Sequence, residues 1–324
     1  ALQVITAIIL AFWAPGFHTI TSEKDEEALK NARQSIPASL MDALDKAATQ
    51  RHLLVATDFD GTLAPLVRNP RKAAPIPGSL EALDTLATIP HTKAAIVSGR
   101  DIAGLRKVAP VTRDVTLVGS HGAEISDSDH ELTKHQRDLL KRLIEEVTQT
   151  ADSIPGATIE EKKYAVVLHT RTAQDPHEAK KRTVELEERL SAVPGVTLTR
   201  GKKVSEFAVI NTTKDAALAS LAARWPTGAD AILYLGDDVT DEHIFTGLPA
   251  RITTPQTEII TVKVGEGDTA AQYRIANELE AAAVLDYLCE QRNHYANAHF
   301  TWKDRKQLRK DSRSRARRMA YSED

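Results

Sequence analysis

A second cysteine is what this chain most plainly lacks. Cys289 stands alone among 324 residues, which excludes an internal disulfide and fits a reducing cytoplasm. Its surroundings, "AAAVLDYLCE", assign it to core packing. Nor is there an excess of one charge: 42 Lys and Arg against 45 Asp and Glu give a net −3, so no nucleic-acid affinity is expected of the core. Long apolar runs are missing too. The longest, "ALQVITAIILAFWAPGF", has about 17 residues, the lower limit of a membrane span, and Pro15 and Gly16 cut it short. It has no basic start and no clear small-x-small cleavage site, so a signal peptide is poorly supported. No stable membrane span is expected; residues 1–36 read as an N-terminal extension whose apolar first stretch docks as a helix on the body or on a second subunit. There is no internal repeat.

With 42% hydrophobic residues, a chain of this length can bury a large core in two domains. Two helices are predicted between Ser22 and Gln50, the second starting at Pro37. "LLVAT" follows as a buried strand. "GSLEALDTLATI" reads as a helix with Ser79 as N-cap and leucines at 80, 83 and 86 on helical spacing. "KAAIVSGR" is a second strand, "DIAGLRKV" a helix and "VTLVGSHGAEI" a third strand. Alternating strand and helix is the signature of a parallel, doubly wound sheet.

The pattern then changes. Charged helices near residues 131–150 and in "PHEAKKRTVELEERL" flank the partly alternating "ATIEEKKYAVVLHTR", and "VTLTRGKKVSEFAVI" reads as a hairpin turning at Gly201. Antiparallel strands within a parallel frame mark an inserted domain. "TKDAALASLAARW", "AILYLGDDVTDEHIF" and "EIITVKVG" then resume the frame as helix, strand-loop-helix and last strand. The expected fold is α/β: a Rossmann-like doubly wound parallel core at 37–124 and 207–292, with an α+β cap at 125–206. The basic tail, 293–324, is expected to be solvated and disordered, with RNA or a membrane surface as the sharper alternative.

One strand ends on carboxylates. In "LLVATDFDGTLAPL", Asp58 and Asp60 lie two apart on extended backbone, so both side chains reach one locus past the strand's carboxyl end, where open α/β sheets bind ligands. A solvated Asp-Gly turn would look the same locally. An EF-hand loop would not, because Phe59 and Gly61 leave no room for its third oxygen ligand. Three more stretches occupy loops after strands or the head of a helix: "SGR", the lysine of "TKDAAL", and "GDDVTDE". Singly, Lys214 is a surface lysine, Ser98 an N-cap, and Asp241 and Glu242 first-turn charges. Jointly and in this order they are specific.

The set resembles the haloacid dehalogenase-like phosphotransferases. With "DFDGTLAP", "IVSGR", "LVGSHGAE", "KYAVVLHTR", "GKKVSE" and "YLGDDVTDE", residues 37–290 are similar to the trehalose-6-phosphate phosphatases. That resemblance implies a cytoplasmic, Mg2+-dependent phosphatase of trehalose biosynthesis whose partner is its small-molecule substrate, trehalose-6-phosphate. It makes Asp58 the nucleophile that forms an aspartyl-phosphate, Asp60 the acid and base, and Thr62 a hydrogen-bond partner of the nucleophile. Ser98 and Lys214 grip the phosphoryl oxygens, with Gly99 and Arg100 on the substrate side. Mg2+ falls to Asp58, Asp60, Asp237, Asp238 and Asp241. The cap closes over the disaccharide, with Glu124, Lys163, Arg171 and Glu206 meeting sugar hydroxyls; the register between Lys162 and Lys163 stays open. Two positions depart from the family pattern. Phe207-Ala208-Val209 replaces an Arg-Pro pair after Glu206, and Asp215 replaces a glycine after Lys214. A phosphatase of sucrose- or glucosylglycerol-type phosphates and a silent sugar-phosphate sensor are the rival readings, the sensor disfavoured because a binding module needs no nucleophile.

Overall fold

A computed structural model describes residues 22–127, 132–210, 212–252, 254, 256–308, 310 and 312. The expectation for the apolar segment at 1–21 lies outside them. The chain forms two compact units, Ala1–Ser128 with Lys214–Asp324, and Asp129–Thr213, against the 125–206 expected for the insert.

The first unit opens with α1 (Glu23–Arg33), α2 (Ala38–Ala48), β1 (Leu53–Thr57), α3 (Ser79–Ala87), β2 (Thr92–Val97), α4 (Ile102–Val108), β3 (Thr116–Gly119) and β4 (Glu124–Ile125). The second contains α5 (Lys134–Asp152), β5 (Thr158–Glu161), β6 (Ala165–His169), α6 (Pro176–Ser191), β7 (Thr197–Gly201) and β8 (Val204–Ala208). The first resumes with α7 (Lys214–Ala222), β9 (Ala231–Gly236), α8 (Val239–Arg251), β10 (Glu258–Val264), β11 (Tyr273–Ile275) and α9 (Glu278–His299).

Seven strands line up as β11-β10-β9-β1-β2-β3-β4, with every neighbouring pair parallel except β3 and β4. Successive residues of a strand face opposite sides. In β1, Leu53 and Val55 join one core layer with α1, α2, α3, α4 and α9, whereas Leu54 and Ala56 join the other with α7 and α8. Both faces of the strand are therefore dry, and all five of its residues are buried. In the second unit the order β5-β6-β8-β7 is antiparallel throughout. Leu139, Leu143 and Val147 of α5, Leu186 and Leu190 of α6, and Val166, Leu168 and Phe207 of the sheet form its own core. Among the described residues no helix is long and apolar enough to cross a membrane.

Three local expectations change. "VTLVGSHGAEI" is not one strand: Ser120 and His121 take left-handed backbone (φ 50° and 54°), and the chain reverses through Ser120–Gly122 into the antiparallel β4. Ser79 does not cap α3. Gly78, at φ 88°, occupies the cap, and the Ser79 hydroxyl donates to the Ile76 carbonyl at 2.7 Å. Residues 22–36 are not an appendage, since Leu29, Ala32 and Ile36 belong to the main core and Arg33 pairs with Glu290 at 2.7 Å.

The tail does not begin as free chain at 293 either. Helix α9 continues to His299, Asp304 accepts from the His91 ring at 2.8 Å, and Ser312 donates to Asp114 at 2.6 Å. The reason lies in Arg292, whose guanidinium is wholly buried. It donates to the carbonyls of Ala48 (2.8 Å), Gln50, Arg51 (2.9 Å) and His91 (3.3 Å) and to the Thr92 hydroxyl (2.9 Å), beneath the ring of Phe300. One side chain thus satisfies the loops entering β1 and β2 together. Burial pushes it down to about 10, still charged at neutral pH. Arg292→Met keeps the apolar stem but strands several buried acceptors at about 1–3 kcal/mol each. We expect a loss of about 3 kcal/mol or more, seen as a melting temperature lower by roughly 6 °C or more; an unchanged melting temperature would refute this role.

Candidate active site

β1 and β9 run side by side with Thr57 opposite Leu235, and the Asp58 amide donates to the Leu235 carbonyl at 2.9 Å. The residues just past each strand, Asp58 and Asp237, are thereby delivered to one edge. Two glycines make room. A Cβ on Gly61, which also turns at φ 83°, would lie 2.0 Å from the Asp237 carboxylate, and one on Gly236 would lie 2.5 Å from that of Asp241.

Lys214, at the start of α7 and almost fully buried, stands 3.2 Å from Asp58 and 2.8 Å from Asp241. Asp241 is densely solvated by protein. Its Oδ1 accepts from Lys214 and from the Tyr234 hydroxyl (2.8 Å), and its Oδ2 from the amides of Asp237 (3.0 Å) and Asp238 (3.1 Å). Four donors use the acceptor capacity of one carboxylate. Asp58, Asp237 and Asp241 each present an oxygen within 4.8 Å of the others, and this all-oxygen set, buried at Asp58 and Asp241 and half-buried at Asp237, fits a hard divalent cation. Because the donors already saturate Asp241, Asp58 and Asp237 are the two carboxylates suited to hold one.

Other expected site residues have different partners. Asp60 is outside this cluster: both of its oxygens accept from Arg100, at 2.6 Å each, so Arg100 faces Asp60 and not open substrate space. Asp238 caps α8 by accepting from the Val239 amide at 2.6 Å. The Thr62 hydroxyl lies 3.3 Å from Asp237, not on Asp58. Ser98 is buried, and its hydroxyl accepts from the Arg100 amide at 3.2 Å; Gly99 lies against the His121 ring. Glu124 is buried, accepting from the Ser120 hydroxyl (2.5 Å) and the Ile102 amide (3.4 Å), and so braces the reversal before β4. In the second unit Lys162 pairs with Glu206 at 2.6 Å, whereas Lys163 and Arg171 are exposed and the Lys163 ammonium sits 5.1 Å from the Tyr164 ring. Asp215, the departure after Lys214, is buried and paired with Arg251, so its charge is answered within the fold.

Sequence reasoning missed Tyr234 and Lys263. Lys263, buried on β10, donates its ammonium to the Asp237 carbonyl. A lone lysine inside the apolar run "EIITVKVG" was the available signal.

Burial pushes the Asp58 carboxyl up to about 8, with Lys214 pulling it back and Asp241 and Asp237 adding to the rise. Burial, then Asp241 and Asp238, raise Asp237 to about 6. Desolvation alone would lower Lys214, but Asp58 and Asp241 outweigh it and hold the ammonium above the ordinary lysine range. Burial and the same carboxylates keep the Tyr234 phenol well above its usual range.

The family described as Trehalose-phosphatase matches residues 56–278. A bifunctional trehalose-6-phosphate synthase/phosphatase from Thermoproteus tenax is 32% identical over 286 residues, which cover 84% of this chain and 37% of that protein. Trehalose-phosphate phosphatase from Mycobacterium tuberculosis is 30% identical over 298 residues, 85% of this chain and 72% of that one. The chain spans only 19% of the length of the first curated relatives it matches. Among solved structures, trehalose-6-phosphate phosphatase from Aspergillus fumigatus aligns with a TM-score of 0.58 at 28% identity, covering 78% of this chain and 97% of that one.

The raised carboxyls predict how metal and pH act together. A carboxyl with a folded-state pKa above its unfolded value of about 4 stabilises the fold only while protonated, and that contribution is lost as pH rises through the folded value. In chelator-treated protein it fades through about 6 for Asp237 and about 8 for Asp58. Melting temperature should therefore fall between about pH 5 and pH 8.5, and added Mg2+ should raise it more at the upper end. Asp237→Asn should abolish most of the Mg2+-dependent rise. A Mg2+ effect of equal size at both ends would rule out this account.

Proposed function

Because the chain belongs to the trehalose-phosphatase family, we propose that it hydrolyses trehalose-6-phosphate to trehalose and phosphate, with Asp58 as the covalent nucleophile. The observation that carries the mechanism is the Lys214 ammonium bridging Asp58 and Asp241 at the carboxyl ends of the central strands. There it can receive phosphoryl oxygens while keeping the attacking carboxylate in place.

Each step uses a residue of the chain. An Asp58 oxygen attacks phosphorus, the bond from phosphorus to the sugar oxygen breaks, and Asp60 gives that oxygen its proton. Asp60, now a carboxylate, takes a proton from a water molecule whose oxygen bonds to phosphorus as the Asp58 ester bond breaks. Phosphate leaves and both aspartates return to their starting forms. Lys214 and Ser98 meet the phosphoryl oxygens, and Asp241 keeps Lys214 aimed at Asp58. Mg2+ would be held by Asp58 and Asp237, with Thr62 and Lys263 fixing the Asp237 loop, and would supply positive charge against the phosphoryl oxygens. The catalytic groups touch only phosphate, so choice among esters falls to groups that meet the leaving alcohol. We assign that task to Lys162 or Lys163, Arg171 and Glu206 of the second unit. Phe207, where the family pattern has arginine, is a core residue here, which makes the sugar panel below the decisive comparison with other sugar phosphatases. The lone reduced thiol fits a cytoplasmic setting.

Phosphate release from a panel of sugar phosphates should be fastest with trehalose-6-phosphate and should require Mg2+. Asp58→Asn should remove activity while leaving the melting temperature near or above wild type, since an amide of the same shape cannot attack phosphorus. Retained Mg2+-dependent turnover in that variant would exclude the covalent route, and a preference for another sugar phosphate would reassign the substrate.

Glu206→Ala should lower kcat/KM for trehalose-6-phosphate about 10-fold or more, given about 1–3 kcal/mol for a lost buried hydrogen-bond partner. p-Nitrophenyl phosphate, which has no sugar, should be hydrolysed nearly as before. Equal losses on both would show that the Lys162–Glu206 pair serves the fold.

A further inference from the structure

The fork between Arg100 and Asp60 has no counterpart in the role expected for Arg100. Its Nε donates to one Asp60 oxygen and its Nη2 to the other, both at 2.6 Å. Parallel double contacts of this kind fix the plane of a carboxylate as well as its position. The arginine is itself held from three sides. Its amide donates to the Ser98 hydroxyl at 3.2 Å, its carbonyl accepts from the Ser120 amide at 2.7 Å, and its guanidinium lies 5.6 Å from the ring of Phe59, the residue between the two catalytic aspartates. The side chain of Arg100 is 15% exposed and that of Asp60 31%. Both side chains keep some contact with solvent, which screens the pair, so fold stability alone is a poor explanation for so much bracing.

Chemistry explains it better. Both Asp60 oxygens accept from the fork, which fixes the plane and aim of the group that must take a proton from water in the second half of the reaction. Each oxygen retains a second lone-pair direction for that proton. We propose that Arg100 is a positioning residue which holds the Asp60 carboxylate in line for the water that cleaves the aspartyl-phosphate. This rests on Asp60 being the acid and base of the proposed phosphatase. In that step the oxygen of water forms the new bond to phosphorus, its proton passes to Asp60, and the electron pair of the breaking bond returns to Asp58.

The test separates the two half-reactions. p-Nitrophenolate is a good leaving group that needs no proton, so phosphorylation of Asp58 by p-nitrophenyl phosphate bypasses Asp60 while dephosphorylation does not. Rapid mixing of Arg100→Ala with this ester should give a burst approaching one p-nitrophenolate per site, followed by turnover about 10-fold or more below wild type. Phosphoenzyme should accumulate, visible by intact mass after acid quench. Arg100→Lys, which keeps the charge but cannot form the fork, should show the same burst; it also serves if the alanine variant fails to fold. Absence of a burst, with phosphorylation and turnover reduced alike, would overturn the proposal in favour of direct phosphate binding by Arg100. Full activity of Arg100→Lys would overturn it too, because charge alone would then suffice. If wild-type protein fails to release phosphate from any sugar phosphate, the function reading falls and this proposal with it; a wild type active on trehalose-6-phosphate and a variant without the burst would sink this proposal alone.

Discussion

Three carboxylates crowd together at the carboxyl ends of β1 and β9, two of them sharing the Lys214 ammonium, and the rest of the site is arranged to make that crowd tolerable. Two unit charges at 4.8 Å repel by about 3 kcal/mol at an effective dielectric constant of about 20. Without compensation the cheapest relief would be to protonate one of them. Asp241 is relieved by four donors, two of them backbone amides that exist only because the chain turns sharply after Gly236. Asp58 shares Lys214, and Asp237 has Thr62 on its side chain and Lys263 on its carbonyl. What remains is a deficit of positive charge at the point where a dianionic ester and a divalent cation would arrive together.

The same constraint explains features that look unrelated to catalysis. Gly61 and Gly236 have no side chain because carboxylates occupy the space where one would be. Lys263 and Tyr234 stand in largely apolar strands, where they donate to the Asp237 carbonyl and to the Asp241 carboxylate. Asp215 adds a further buried carboxylate beside the lysine, and Arg251 at the far end of α8 answers it.

Much of this was legible in the sequence. All-apolar strands, the order of the four short motifs and the change to alternating strands near residue 158 fix the frame and the edge where chemistry gathers, because each depends on local periodicity. Partnerships were not legible. Asp58, Asp60, Asp237 and Asp238 look alike as letters, yet one pairs with a buried lysine, one with an arginine fork, one with a threonine, and one caps its own helix. Residues far apart in sequence decide which is which. Arg292 was hidden for a similar reason: an arginine at the very end of the segment assigned to the core, beside a basic tail, carries no local sign of burial, and only the loops before β1 and β2 converging on it show what it does.

The place of β1 in the middle of the sheet carries a consequence for how the protein is made. Its neighbour β2 follows closely in the chain, but β9, its other neighbour, begins at Ala231, beyond the whole of the second unit. During synthesis the strand that leads to Asp58 emerges before β9 and stays an unpaired sheet edge until β9 arrives, and such edges invite aggregation. The second unit has its own core and its own sheet, so it can fold in that interval and turn a long floppy connection into a compact body. That shrinks the entropy lost when β9 finds β1, which in pairings so distant along the chain is the slow event. Asp58 then loses its water only at the moment Lys214 and the Asp237 loop are delivered beside it, so the buried charge and the groups that stabilise it arrive in one step.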